Sequence, residues 1–328
     1  MDRQKQAELV ASCLGRSEKI LILTHKNPDG DAIGSSLALS YGLTALGKSV
    51  ESVNIDGVPE ALMWLEGAEM ILQRPTGEID FDTYILLDCN EYVRTGFDPA
   101  LVEGIPFRII IDHHPGVAPD PVRDLIDPAS ASSGQLVYEV LKALGADIPP
   151  SVAMDIYLAI HTDTGGFRFP NTDADAFKTA AAVTELGAIP SHVAVMLMER
   201  ENASRMKLLG LALGTLEVAS GGRVAYACIT KEMFDRTGTK EEHTDGFVNY
   251  PRSIDGVEVA MLFKEKDADV WRVTIRSRGL LDVSSIAREL GGGGHRNASG
   301  ATIPGKLKDV TAAMVARVTR GLDELSVL

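Results

Sequence analysis

The sequence predicts an α/β protein of two domains, a mostly parallel-sheet domain followed by a smaller α/β one. Three observations lead there. The chain has 328 residues, more than one ordinary domain needs. Short apolar runs alternate with helical patterns through the first two-thirds, the order that builds a parallel sheet covered on both faces. Around residues 189–204 that alternation gives way to continuous helical character.

Residues 19–24 (KILILT) are an apolar run bounded by polar residues, long enough for a buried strand. Residues 32–46 then carry apolar positions at helical spacing. Residues 49–55, 84–87 and 108–111 repeat the strand signal, and 134–144 and 151–160 the helical one. Residues 202–219 read as a connecting helix, with strands at 223–229, 257–263 and 271–277 and helices at 283–290 and 308–322. The expected division is a first domain at 1–190, a helical linker at 191–204 and a second domain at 205–328.

Composition narrows the function. Apolar residues make up 45% and charged residues 24%, which excludes a disordered chain. Acidic side chains number 46 against 32 basic ones, a net charge of −14. The excess is uneven: residues 1–204 hold 30 acidic and 14 basic side chains, a net of −16, whereas residues 205–328 hold 16 and 18, a net of +2. So acidic a first lobe repels long nucleic acid and anionic lipid. Aromatics at 5% offer few platforms for stacking a long strand. A short anionic substrate stays compatible, because a local site can invert the field. Cys13, Cys89 and Cys228 are scattered and odd in number, so a reducing compartment is expected and no zinc knuckle or disulfide framework. With no apolar leader and no apolar stretch of bilayer length, the expectation is a cytoplasmic protein without membrane association.

Ligands in open parallel sheets gather beyond the carboxyl ends of the strands, so the residues after each run are the candidates. After the first come His25, Asp29 and Asp31, with Pro28 and Gly30 suiting a tight turn just before a helix. Asp88 follows 84–87 directly, Asp112, His113 and His114 follow 108–111, and Asp163 follows a helical segment that ends in Thr164, Gly165 and Gly166. An Asp beside a helix start is, on its own, equally well a helix cap. Four separate elements each ending in an acid or histidine are not explained that way. Carboxylates mixed with imidazoles at such positions point to hard or borderline divalent metals. In the second domain the run from Gly291 through Gly294, then His295, Arg296 and Asn297, reads as a loop whose bare amides can wrap a phosphate. A flexible link is its plainer reading. Arg276 and Arg278 lie two apart on a strand and share a face.

In that order and after those runs, His25–Asp31, Asp88, Asp112–His114 and Asp163 resemble the four motifs of the DHH phosphoesterase family. The segment from Gly291 to Gly300 resembles the glycine-histidine loop of the substrate-binding domain that accompanies it. Length, the pair of domains and the stretch 249–254 are similar to the branch of bifunctional oligoribonucleases and 3′-phosphoadenosine 5′-phosphate phosphatases. The resemblance implies an active site in the cleft between two domains and two divalent ions, Mn²⁺ with Mg²⁺ as the alternative. His25 and Asp29 would hold the first, Asp31, His113 and Asp163 the second, with Asp88 bridging. His114 would face the scissile phosphate, and Asp112 would orient the histidine pair. Arg276, Ser277, Gly292, Gly293, Gly294 and His295 would contact a nucleotide, with Arg252 a weaker candidate.

The implied activity is hydrolysis of very short RNA to mononucleotides and dephosphorylation of 3′-phosphoadenosine 5′-phosphate, by a homodimer. Turnover of linear or cyclic dinucleotides is the second hydrolase reading, and a nucleotide sensor without catalysis the reading from another class. An inorganic pyrophosphatase would share the first domain's motifs but not the glycine-histidine loop. His161 and Cys89 are expected to pack near the site, and His192 and His243 to be surface residues. Phe167 or Phe169 could stack a base, although a core role is at least as good a reading, and Asn171 and Thr172 are expected to fix that loop.

Overall fold

The computed structural model describes residues 2–76, 80–116, 118–199 and 202–325. Two compact units divide after Arg200. In the first, Arg3–Arg16 (α1) precedes Lys19–Leu23 (β1), Gly30–Ala45 (α2), Ser49–Val53 (β2) and Ile71–Leu72 (β3). Thr83–Leu87 (β4), Phe107–Asp112 (β5) and Asp124–Ile126 (β6) complete a six-stranded sheet in the order β3-β2-β1-β4-β5-β6. Every pairing within it is parallel. Four helices follow: Ser133–Leu144 (α3), Pro150–Asp163 (α4), Ala174–Glu185 (α5) and Pro190–Met198 (α6).

β1 shows why the strands read as unbroken apolar runs. Ile20 and Ile22 face the helices, whereas Leu21 and Leu23 face a second cluster covered by residues such as Phe81, Tyr92 and Ile105. Both faces are buried, so no polar alternation survives. α-Helices cover only the first of these faces; on the second, short 3-10 turns at Tyr92–Thr95 and Pro99–Leu101 and irregular segments take their place. The strand order reverses direction between β1 and β4, the switch point at which such sheets open a crevice beyond their carboxyl ends. His25 follows one of these two strands and Asp88 the other.

α2 and α4 pack unusually close. A Cβ on Gly34 would lie 2.4 Å from the Asp155 carbonyl oxygen, and one on Gly30 would lie 2.5 Å from the Thr162 side chain. Glycine at these positions lets the N-terminus of α2 approach the C-terminus of α4, which carry Asp31 and Asp163.

The second unit begins with Ala203–Leu213 (α7), followed by Glu217–Ala219 (β7), Val224–Ile229 (β8), Lys231–Thr237 (α8) and Asn249–Arg252 (α9). Val259–Asp267 (β9), Val270–Ser277 (β10), Val283–Glu289 (α10), Gly293–His295 (β11), Ala298–Pro304 (β12) and Leu307–Leu325 (α11) complete it. Its six-stranded sheet, β11-β12-β10-β9-β8-β7, is mixed, with only β8 and β9 parallel.

Two expectations change here. The segment 191–204 is not an independent linker: Val193 of α6 is buried in the first core, and α7 packs into the second through Leu208, Leu209 and Ala212. Residues 200 and 201, at the junction itself, lie outside the described residues. The glycine-histidine segment is not wholly a loop, since Gly293–His295 pairs with β12. Glycine has poor strand propensity, and this strand owes its form to its partner. Among the described residues no single helix is long and apolar enough to cross a membrane.

Gly34→Ala isolates the close approach. A helix-interior Gly→Ala exchange ordinarily stabilises by about 1 kcal/mol. Here the new methyl meets backbone, and overpacking of about 1–3 kcal/mol outweighs that gain. Thermal denaturation should show the variant destabilised; a Tm equal to or above wild type would contradict this packing.

Candidate metal centre

β1, β4 and β5 end side by side and deliver their following residues into one crevice. His25 lies 3.3 Å through Nε2 from Asp88 Oδ2 and 4.0 Å from Asp29 Oδ1. His113 Nε2 lies 3.4 Å from Asp163 Oδ2, 3.6 Å from Asp31 Oδ2 and 3.7 Å from Asp88 Oδ1. The other ring nitrogen of each histidine faces a backbone carbonyl: His25 Nδ1 is 2.9 Å from the oxygen of Lys26, and His113 Nδ1 is 3.3 Å from that of Ser130. A protonated Nδ1 donating to a carbonyl leaves the Nε2 lone pair for the carboxylate side, the arrangement of metal-ligating imidazoles.

The carboxylates accept from donors that favour their charged form. Asp31 is buried, and its Oδ1 accepts from Ser35 Oγ and the Gly134 amide, each at 2.9 Å, while Oδ2 accepts from the Ser133 amide at 2.7 Å. Those amides open α3, capped by Ser132, so its positive end points at Asp31. Asp88 Oδ1 accepts from Ser133 Oγ at 2.8 Å. Asp88 also has φ of +59°, a left-handed conformation that costs an L-residue about 1–2 kcal/mol. Its amide donates to Ile111 O at 2.9 Å, which helps hold that turn. Asp29 caps α2, accepting from the amides of Asp31 and Ala32. Asn171 Nδ2 donates to the Asp163 carbonyl at 3.1 Å and to the Ala131 carbonyl at 3.0 Å, fixing the loop after α4.

These donors do not offset the crowding. Burial pushes the Asp31 carboxyl well above its ordinary value, and the neighbouring Asp88, Asp163 and Asp29 push it further. Burial and then Asp29 do the same to Asp88. Burial also raises Asp163, against the pull of His113. The donor set fits divalent cations. His25, Asp29 and Asp88 form one group with ligand atoms within 4.8 Å of one another, and Asp31, His113 and Asp163 form a second. Cys89 belongs to none of the ligand groups among the described residues, and burial and the fields of Asp88 and Asp112 push its thiol far up.

His114 is placed differently. Its Nδ1 lies 2.7 Å from Asp112 Oδ1, and its Nε2 lies 3.4 Å from Arg94 Nη2. Although His114 also lies near Asp88 and His113, its Nδ1 is already engaged by Asp112. Asp112 is fully buried, with Oδ2 lacking a hydrogen-bond partner among the described residues.

In the second unit, register places His295 beside Ala298 and Ala298 beside Arg276, so His295 and Arg276 share one sheet face. Arg276 is half-buried, and burial together with the Arg252 guanidinium lowers its proton affinity, which puts those two cations near each other. Ser277 is buried, and its Oγ donates to Asn297 Oδ1 at 3.2 Å. Arg278 is not part of this group; its Nη2 donates to the carbonyls of Arg252 and Ile254 and steadies that turn. Gly292 and Gly294 are required by packing, since a Cβ would lie 2.1 Å from Gly300 O and 2.4 Å from Ala298 O respectively. A Cβ on Gly293 would meet open space.

Residues 19–160 match the DHH family, N-terminal domain, and residues 221–320 match the DHHA1 domain. A Thermus thermophilus protein named bifunctional oligoribonuclease and PAP phosphatase NrnA is 34% identical over 92% of this chain and 89% of its own length. The chain belongs to the DHH family. A Bacillus subtilis DHH relative of the same name is 30% identical over 87% of this chain and 90% of its own. A Bacteroides fragilis crystal structure described as an exopolyphosphatase-related protein superposes with a TM-score of 0.82 at 28% identity, covering 96% of this chain and 95% of that one.

Three site residues escaped the sequence reading: Arg94, Ser133 and Ser35. None belongs to a run that ends in a ligand-type side chain. Ser132–Ser133–Gly134 did carry a helix-start signal that could have found the α3 N-terminus. Of the residues kept apart from the site, Phe167 is half-buried at the edge of the first core and stacks on the exposed Phe177 at 5.1 Å, with His161 beside it at 5.9 Å. Phe169 stays 46% exposed, and His192 lies edge-on against Trp64 at 5.2 Å.

Asp88→Asn tests the repulsion. The amide oxygen can accept from Ser133 Oγ while Nδ2 donates to His25 Nε2. A carboxyl raised in the folded state stabilises fully below its unfolded value near 3.8, and that contribution is lost as pH rises through the folded value. In chelator at neutral pH the variant should therefore melt about 2–4 °C above wild type, a difference that shrinks toward acid. Mn²⁺ should reverse the order. A metal-free variant less stable than wild type at neutral pH would contradict the crowding.

Proposed function

We propose that this DHH-family chain is a two-metal phosphoesterase that hydrolyses short oligoribonucleotides to mononucleotides and dephosphorylates 3′-phosphoadenosine 5′-phosphate. The observation that carries the reading is the meeting of two ligand groups, His25–Asp29–Asp88 and Asp31–His113–Asp163, at neighbouring strand ends. Asp88 faces both histidines and is the residue suited to touch both ions, for which Mn²⁺ is the first choice and Mg²⁺ the second. When bound, such ions offset the buried carboxylates, activate water and stabilise charge on a phosphoryl group undergoing in-line displacement.

The remaining work falls to the chain. Asp112 fixes the His114 ring through Nδ1, so that Nε2 accepts from Arg94 Nη2 and holds that guanidinium where it can donate to a phosphoryl oxygen. Arg252, Arg276 and His295 of the second unit bind the nucleotide phosphate, and Gly293 lets the backbone approach it. The charge split supports a short substrate, since a lobe at −16 offers a long strand no track while one at +2 can hold a single phosphate.

A panel of RNAs from two to about ten nucleotides, 3′-phosphoadenosine 5′-phosphate and pyrophosphate, assayed with Mn²⁺ and with Mg²⁺, tests the reading. Turnover should be highest for the shortest RNAs and fall with length, with phosphate released from 3′-phosphoadenosine 5′-phosphate. Pyrophosphate hydrolysis without RNA cleavage, or equal rates on long RNA, would overturn it. His295→Ala should raise KM for a dinucleotide about tenfold and leave a generic phosphodiester unaffected. Equal effects on both would remove His295 from the nucleotide grip.

A further inference from the structure

A cavity of about 340 Å³ lies inside the first unit, away from the strand ends that carry the metal ligands. α2, α4, β2, β3 and the segment 66–70 line it, and it opens to solvent beside the exposed Tyr41 and Met70. Leu37, Val50, Ile71 and Val152 supply apolar wall, and the hydroxyls of Ser40 and Ser52, 2.5 Å apart, lie along it. Asp155 lines the cavity from the first half of α4. It is only 4% exposed, yet among the described residues no group donates a hydrogen bond to its carboxylate. Burial, with the field of Glu66, pushes that carboxyl well above its ordinary value.

A buried carboxyl without a partner favours its neutral form, and ionising it costs several kcal/mol unless a cation or donors reach it. No Lys, Arg or His lines this cavity, whereas Glu66 and Glu69 do. The occupant that relieves Asp155 therefore brings its own positive charge, and anions such as nucleotides are repelled. A metal ion does not suit. Hard cations take six or more oxygens, and Asp155 belongs to no cluster of three metal-ligand side chains among the described residues. The apolar walls call instead for hydrocarbon. A volume of 340 Å³ sits at the low end for ligand pockets, enough for one ring or a short chain.

We propose that this cavity binds a small organic amine, its ammonium against the Asp155 carboxylate and its hydrocarbon body against Leu37, Val50, Ile71 and Val152. Ser40 Oγ and Ser52 Oγ lie along the same wall and can accept the remaining ammonium protons. The site shares no residue with the metal centre, and its occupancy is read by binding alone, so it stands or falls independently of the phosphoesterase activity.

Calorimetric titration of the full chain with phenethylamine, phenethyl alcohol and hydrocinnamate compares a cation, a neutral isostere and an anion of similar shape. The amine should bind at least about tenfold tighter than the alcohol, and hydrocinnamate should not bind. Asp155→Asn should bring the amine down to the alcohol's affinity. Glu66→Gln, at an exposed position, should weaken the amine about threefold and keeps the test open if the first variant does not fold. Equal binding of amine and alcohol, undetectable amine binding, or an amine affinity unchanged by Glu66→Gln and by a folded Asp155→Asn would each overturn the proposal.

Discussion

Asp31 and Asp88 share Ser133: its amide donates to one carboxylate and its hydroxyl to the other. Both acids are buried, and burial raises the proton affinity of each, helped by Asp88 at Asp31 and by Asp29 at Asp88. The first unit is built around this unfavourable meeting. A protein core excludes unpaired charge unless something compensates, and donors from α3 and Ser35 compensate only in part. The remaining deficit is what a divalent cation would remove under the proposed function.

That meeting depends on the parallel sheet and on close helix packing. Reversal of strand order between β1 and β4 opens the crevice, and β5 brings His113 and His114 to its side. Asp163 reaches the same place from a helix, because Gly30 and Gly34 let α4 close on α2. Asp88 takes a left-handed turn to face both histidines. These constraints cooperate, since changing any one moves a carboxylate relative to the others.

Much of this was legible in the sequence because the strands that matter are buried on both faces. β1, β4 and β5 stand out as apolar runs, and the polar residue that ends each is then conspicuous. Shorter or weaker strands were not legible: β3 has two residues, β6 has three, and β11 is Gly-Gly-His. Residues that act by hydrogen bonding from elsewhere were also hidden. Arg94 sits in a segment with no periodic pattern, and the amides of Ser133 and Gly134 are signalled only by the helix-capping Ser132. The glycines divide physically in a way composition could not show. Gly292 and Gly294 serve packing against β12, whereas of the three only at Gly293 would a Cβ meet open space.

The claim that two ion positions share Asp88 is tested most directly by anomalous diffraction from crystals grown with Mn²⁺. Two manganese peaks are predicted, one touching His25, Asp29 and Asp88 and the other touching Asp31, Asp88, His113 and Asp163. A single peak, or manganese bound without Asp88, would contradict the account.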